Sequence, residues 1–107
     1  MKIDAITNNG QQLINAINKA LNEGALKTWK RVQGADDSML YTHTPEQWNE
    51  VVIIKADVFG AKVQFDMAWW NNRPEPSQEI KGYVTGRFTE VLMVHFRNYF
   101  TKLETIA

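Results

Sequence analysis

Apolar residues recur with a helical period near the start of the chain. Between residues 4 and 23 they fall close to one helical face at spacings of three, four and seven: Ile6, Leu13, Ile14, Ile17 and Leu21. Gly24 follows and is a favourable residue for a helix C-terminus. Gly10 and several asparagines weaken the first turns, and each of residues 7–9 is a suitable cap. The pattern predicts a helix over 4–23 whose first residue is left open.

Two short β-prone runs follow, over 26–33 and 38–43. The Gly and paired Asp of 34–37 separate them and favour a turn, so the runs are predicted to form a first hairpin. Pro45 then lacks a backbone donor and restricts the residue before it to an extended conformation. We therefore expect a loop or a single helical turn over 44–49.

The clearest alternation of apolar and polar residues spans 50–58 and 61–70 and predicts a second hairpin. A two-residue loop, Phe59–Gly60, gives one apolar face that ends at Trp69. Opposed pairs on that face are then Ala56 with Val63, Ile54 with Phe65 and Val52 with Met67, while Asp57 meets Lys62 and Lys55 meets Gln64 on the other. Phe-Gly is not a favoured type I′ pair, and a longer loop with a bulge keeps the same faces.

The prolines and asparagines of 71–78 end the sheet, and a second helical stripe follows: Val84, Phe88, Val91, Leu92, His95, Phe96, Tyr99 and Leu103. We predict a helix from about residue 86 and, on weaker grounds, from 78, because Lys81 would then enter the stripe. The expected fold is a single α+β domain over 1–107. It has an N-terminal helix, about four mainly antiparallel strands and a long C-terminal helix packed on the sheet.

Trp70 lies beside Trp69 but on the opposite strand face, together with Val51 and Ile53. One interpretation is that a terminal helix covers each face of the sheet, or that a loop such as TPEQW folds over this end. The other is that Trp70, Val51 and Ile53 form an exposed partner-binding patch.

The back of the C-terminal helix repeats every seven residues. Gly86, Met93 and Phe100 form one row, flanked by Glu90 and Arg97. A small Gly86 allows close approach, and the two charges can pair across an antiparallel two-fold, which predicts a homodimer interface. The alternative is a helix wedged inside its own domain, with both charges solvated.

Composition narrows the classes of function. Twelve Lys plus Arg balance twelve Asp plus Glu, so no global field favours nucleic acid or an anionic membrane. Cysteine is absent, which excludes disulfides, thiolate zinc sites and a Cys nucleophile. The first ten residues lack the apolar core of a signal peptide, and no apolar run reaches the roughly 18 residues of a membrane span. We expect a cytoplasmic protein without membrane partners.

Candidate chemistry centres on the two histidines. His95 falls in the apolar stripe, where a buried structural histidine is expected. His43 is near Asp36, Asp37 and Ser38, but no nucleophile elbow or oxyanion loop accompanies a Ser38–His43–Asp37 triad. Spacings typical of metal or cofactor sites are also missing. We therefore assign no catalytic residue, cofactor or metal ligand.

Three functions remain, in order of preference. The first is a small non-enzymatic protein-interaction domain of adaptor, inhibitor or immunity type that forms a homodimer. The second is a small-ligand-binding protein or an enzyme, with a pocket near His43, Tyr41 and a tryptophan. The third is a weak single-stranded nucleic-acid binder built on KTWKR at 27–31, where Trp29 would stack a base, with Trp69, Trp70 and Arg73 extending the surface. Net neutrality favours instead a solvated edge strand with Trp29 turned inward.

Overall fold

The computed structural model describes residues 1–32, 39–45 and 48–107. The elements are β1 Lys2–Ile6, α1 Gly10–Asn22, β2 Trp29–Val32, β3 Met39–His43, β4 Ile53–Val58, β5 Lys62–Ala68, α2 Gln78–His95, a 3-10 turn Arg97–Tyr99 and β6 Lys102–Ile106. The described strands form one antiparallel sheet of six in the order β2-β3-β4-β5-β1-β6. The predicted α+β class is confirmed, and two strands more than expected are present.

The N-terminal helix begins later than predicted, because residues 2–6 form a strand. In β1, Ile3 and Ala5 are completely buried and alternate with polar Lys2 and Asp4. Asp4 is buried as well, and its carboxylate accepts a 3.3 Å hydrogen bond from the Lys62 ammonium. The side chain of Asn9 then caps α1 by accepting a 3.1 Å hydrogen bond from the Gln12 N–H. The helical spacing of Ile6 to the later apolar residues was coincidental.

The second hairpin has the predicted faces with a different register. Ala56 pairs with Phe65 and Ile54 with Met67, two residues further along than the two-residue loop requires. The turn is longer, and the Phe59 N–H donates to the Lys62 carbonyl at 2.8 Å. A two-residue shift leaves each side chain on its original face, as the longer-loop alternative predicted.

The first hairpin is present as the antiparallel pair β2–β3, with Trp29 opposite His43. The turn predicted at 34–37 lies outside the described residues. After β3, the N–H of Asn49 donates to the Pro45 carbonyl at 3.0 Å. The loop or single helical turn predicted over 44–49 lies partly outside the described residues.

The second helix starts at residue 78, where the Ser77 side chain accepts from the Ile80 N–H. Lys81 is buried in it: its ammonium lies 4.7 Å from the ring centroid of Trp69 and forms an ion pair with Glu75. The helix ends at His95, so the predicted continuation to Leu103 is wrong. Residues 102–106 instead pair with β1, as a mostly exposed edge strand that lacks the alternation by which strands are recognised.

Both helices contribute to one core on the same face of the sheet, so the expectation of one helix on each face is wrong. Phe88 of α2 lies at its centre, with the rings of Trp29, Tyr41 and Phe65 within 6.3 Å. On the other face, the segment that follows Trp48 covers one end of the sheet. There the Glu50 N–H donates to the Thr42 hydroxyl at 2.9 Å.

Candidate functional site

A cleft of about 610 Å³ opens where α2 passes the end of the β2–β3 hairpin. Its walls are the segment before β2, the end of β3, the turn after β3 and the second half of α2. A smaller cavity of about 230 Å³ adjoins it and shares His43, Trp48 and Arg87. The combined space is in the range that holds small organic ligands.

His43 stands at the junction of the two cavities and is only 8% exposed. Its ring lies 4.4 Å from that of Trp29, and Nδ1 is 2.8 Å from the Thr28 carbonyl oxygen. Because a carbonyl only accepts, Nδ1 carries the proton and Nε2 of the neutral ring keeps its lone pair.

The protonation state of His43 follows from its surroundings. Burial lowers the pKa of His43 below its usual 6.5, and the positive charge of Arg87 acts in the same direction. The hydrogen bond to Thr28 opposes this shift without reversing it. At neutral pH the ring is therefore neutral, and Nε2 is a hydrogen-bond acceptor.

Among the residues that the structure describes, the rim of the cleft carries more positive than negative charge, although the chain as a whole is neutral. Lys27 and Arg87 line it with the single carboxylate Glu90, counting only the part of the chain that the structure describes. Neither cation takes part in an ion pair between described residues. Trp48 adds an aromatic wall, and its ring lies 5.9 Å from that of Tyr83. Cationic and aromatic groups thus meet in one concave site.

The structure places the two predicted pocket residues differently. His43 lines the cleft, whereas Tyr41 is fully buried and donates a 2.9 Å hydrogen bond to the Asn18 side chain. Burial raises the pKa of Tyr41, so its hydroxyl stays protonated. The prediction that Tyr41 faces a ligand pocket is wrong, because α1 and α2 cover that position of β3.

The remaining histidine and the triad also differ from expectation. His95 is exposed at the rim of the cleft, since α2 ends there and Phe96 enters the core in its place. Ser38, Asp36 and Asp37 lie outside the described residues. A triad would engage both ring nitrogens of His43, and the Thr28 carbonyl already occupies one.

Sequence reasoning missed Lys27, Trp48 and Arg87 as members of the site. Each comes from a different segment, and only the packing of α2 against the first hairpin brings them together. Lys27 had been noted for the KTWKR run alone. No local spacing signal connects these positions.

The predicted partner-binding patch is largely buried. Ile53 is 2% exposed, and Val51 and Trp70 are half-buried. The Trp70 indole N–H donates to the Glu50 carboxylate at 3.1 Å, which anchors the covering segment to the sheet. The alternative in which a loop covers this end of the sheet describes the structure better, although the covering residues follow TPEQW.

The predicted dimer stripe is interrupted. Gly86, Glu90 and Met93 are exposed on α2, but Arg97 lies in the 3-10 turn and Phe100 follows it, half-buried against the core. The seven-residue repeat therefore lies on one helix face only for Gly86 and Met93. The interface itself stays a prediction.

The nucleic-acid surface loses its stacking residues. Trp29 is buried in the core, where it contacts Phe88, and β2 is an edge strand, as the structural alternative predicted. Trp69 is half-buried beneath the Lys81 ammonium. Arg73 is exposed, and its backbone N–H donates to the Trp70 carbonyl at 3.0 Å.

Two further observations concern metal binding and membrane insertion. Within residues 1–32, 39–45 and 48–107, no group of three acidic, histidine or cysteine side chains is placed to hold a metal ion. No helix in this part of the chain is long and apolar enough to cross a membrane.

Comparison with known protein families, with curated proteins and with solved structures finds no match to the chain. The function must therefore be argued from the geometry.

Proposed function

We propose that the protein binds a small organic anion with a flat apolar part in the cleft around His43. The observation that supports this most directly is the meeting of Lys27 and Arg87 with a tryptophan wall in a cleft of about 610 Å³. Concave sites with a few convergent polar groups are the usual form of ligand pockets.

Each wall of the cleft has a role in this proposal. Arg87 pairs with a carboxylate or phosphate of the ligand, because its guanidinium presents planar paired donors, and Lys27 adds a second positive charge. Trp48 stacks on the flat part. His43 Nε2 accepts a hydrogen bond from a ligand O–H or N–H. The role is binding, and no reaction step is assigned.

The probe 4-hydroxybenzoate tests the proposal because it carries a carboxylate, a ring and a hydroxyl donor. We expect it to shift the amide NMR signals around His43 and to bind at least tenfold more tightly than 4-hydroxybenzamide. Arg87→Gln should weaken the probe about tenfold, a change of about 1.4 kcal/mol. The matched control Arg73→Gln, at an exposed arginine outside the cleft, should leave binding unchanged.

Two results would contradict this function. One is the absence of cleft shifts at millimolar 4-hydroxybenzoate. The other is equal affinity of Arg87→Gln and Arg73→Gln for the probe. Trp48→Leu provides an independent check, since a lost stacking surface lowers affinity without changing the charge.

A second candidate, self-association, is favoured by the exposed apolar residues of α2. The large apolar side chains exposed on α2 are those of Tyr83 at 60%, Met93 at 46% and Val94 at 68%. We propose that α2 contributes to a homodimer and that Met93→Glu lowers the solution mass measured by light scattering. Phe59→Glu, at the exposed tip of the second hairpin, is the matched control and should leave the mass unchanged.

A further inference from the structure

Strand β6 is at one edge of the described sheet. The hydrogen bonds of its neighbour β1 determine which backbone groups of β6 point away from the sheet. The Thr7 N–H donates to the Ala61 carbonyl and the Met67 N–H to the Met1 carbonyl, each at 3.0 Å. Hydrogen bonds of an antiparallel strand alternate in direction along the chain. The odd-numbered residues of β1 are therefore directed at β5, and its even-numbered residues at β6.

The same alternation determines the direction of the backbone groups in β6. Its residues 102, 104 and 106 are paired with 6, 4 and 2 of β1 and use their backbone groups in that ladder. The N–H and C=O groups of Leu103 and Thr105 consequently point away from β1. They form a row of donors and acceptors along the outer edge of the described sheet, where no neighbouring strand is present.

We propose that this edge binds β6 of a second copy of the chain, so that two six-stranded sheets join into one continuous antiparallel sheet. The proposal rests on the self-association suggested above and names the surface that carries it. An antiparallel pairing about a two-fold axis gives an isologous contact that closes, as stable homodimers require.

Charge complementarity selects the register. With Leu103 opposite Leu103 of the second copy, Lys102 faces Glu104 of that copy, and this attraction occurs twice. A shift of the two-fold by one residue in either direction opposes two Lys102 side chains or two Glu104 side chains, both on the same face of the joined sheet. Directly opposed like charges destabilise a strand pair.

The favoured register also fits the backbone. Leu103 has its free N–H and C=O directed outward, so two copies exchange both hydrogen bonds at the axis. The Thr101 N–H already donates to the Ile6 carbonyl at 2.8 Å, so the free N–H groups of the edge are those of Leu103 and Thr105. Within one copy Lys102 already lies 2.8 Å from Glu104, but both side chains are exposed. That pair is exchanged for contacts between copies at little cost.

The neighbouring face of α2 leaves room for the second copy. A groove of about 480 Å³ separates α2 from β6 and is bordered by Gly86, Thr89 and Thr105. A Cβ at Gly86 would meet no atom within 4 Å. Met93 continues the same row of the helix, four residues after Thr89. The two α2 helices thus flank the junction, and the half-buried Leu103 side chains become covered.

The first experiment alters charge alone. Wild type should change from monomer to dimer over a light-scattering concentration series, and Lys102→Glu should raise the dissociation constant at least tenfold. The double variant Lys102→Glu with Glu104→Lys restores both opposite-charge pairs and should restore the dimer. Circular dichroism checks that each variant keeps the fold.

The second experiment removes a backbone donor. Thr105→Pro deletes an outward N–H, leaves the ladder to β1 intact and should abolish the dimer, whereas the control Thr105→Val should retain it. A dimer lost in Met93→Glu but unaffected by Lys102→Glu and Thr105→Pro would overturn the β6 contact and leave self-association standing. A monomer at every concentration would overturn both the β6 contact and the proposed self-association.

Discussion

The environment of a side chain, more than its type, decides what it does in this protein. Tyr41 and His43 lie two residues apart on the same face of β3, so strand alternation predicts similar positions for both. The helices cover Tyr41, whereas His43 is at the strand end beside the cleft. The sequence could identify His43 as a candidate but could not separate it from Tyr41, because the extent of helix cover is a tertiary property.

The lowered pKa of His43 predicts a pH-dependent stability. The unfolded chain takes up a proton as pH falls below about 6.5, and the folded chain does so only at lower pH. The stabilising contribution is therefore complete above that value and is lost as pH falls toward the folded pKa. Urea unfolding at pH 7.5 and pH 5.5 should show a smaller loss for His43→Asn, which keeps a donor for the Thr28 carbonyl, than for wild type.

The control for this effect is His95→Asn, at the exposed histidine of the same cleft. It should lose as much stability as wild type between the two pH values. An equal reduction of the loss in both variants would contradict a special role for the buried ring.

Elements with a strong periodic pattern were predictable, and those without one were not. The faces of the β4–β5 hairpin followed from alternation, whereas its register depended on a turn whose Phe-Gly sequence matches no favoured two-residue type. Strand β1 has only five residues, and Ile6 at its end also fits the helical spacing of α1. Strand β6 is mostly exposed, so burial left no alternating signature in it.

Gly10 shows how the packing of elements constrains a single position. A Cβ at this first residue of α1 would lie 2.7 Å from Val63 Cγ2 and 2.8 Å from Val58 Cγ1. We expect Gly10→Ala to lower the free energy of unfolding by about 1 to 3 kcal/mol, since the hairpin must move. Gly82→Ala, on the exposed face of α2 with no atom within 4 Å, should instead raise it by about 0.5 to 1 kcal/mol.

Denaturant unfolding of these two variants separates packing from helix propensity. Alanine favours a helix at both positions, so propensity alone predicts stabilisation in each. Stabilisation by Gly10→Ala would mean that α1 does not sit closely against the hairpin.

At the scale of the whole molecule, the pairing of β1 between β5 and β6 organises the fold. Because β1 is antiparallel to both, β5 and β6 run parallel, and the chain between them must cross over. Helix α2 makes that crossover and so reaches the end of the first hairpin, where it completes the cleft. Pairs as distant in sequence as Lys2 with Ile106, or Lys27 with Arg87, carry no local signal. The sequence therefore predicted neither the strand order nor the site assembled by α2.

This topology predicts a gradient of amide hydrogen exchange across the sheet. In dilute protein, the inner strands β4, β5 and β1 should have the slowest amide exchange because each has a hydrogen-bonded strand on both sides, and the edge strand β6 should exchange much faster. Raising the protein concentration should then slow the amides of Leu103 and Thr105 by at least tenfold, since they point outward and acquire acceptors in the second copy. Glu104, whose amide already faces β1, should change far less. Equal slowing at all three positions would indicate general stabilisation by a dimer formed elsewhere, whereas alternating protection along β6 requires a strand bound at its edge.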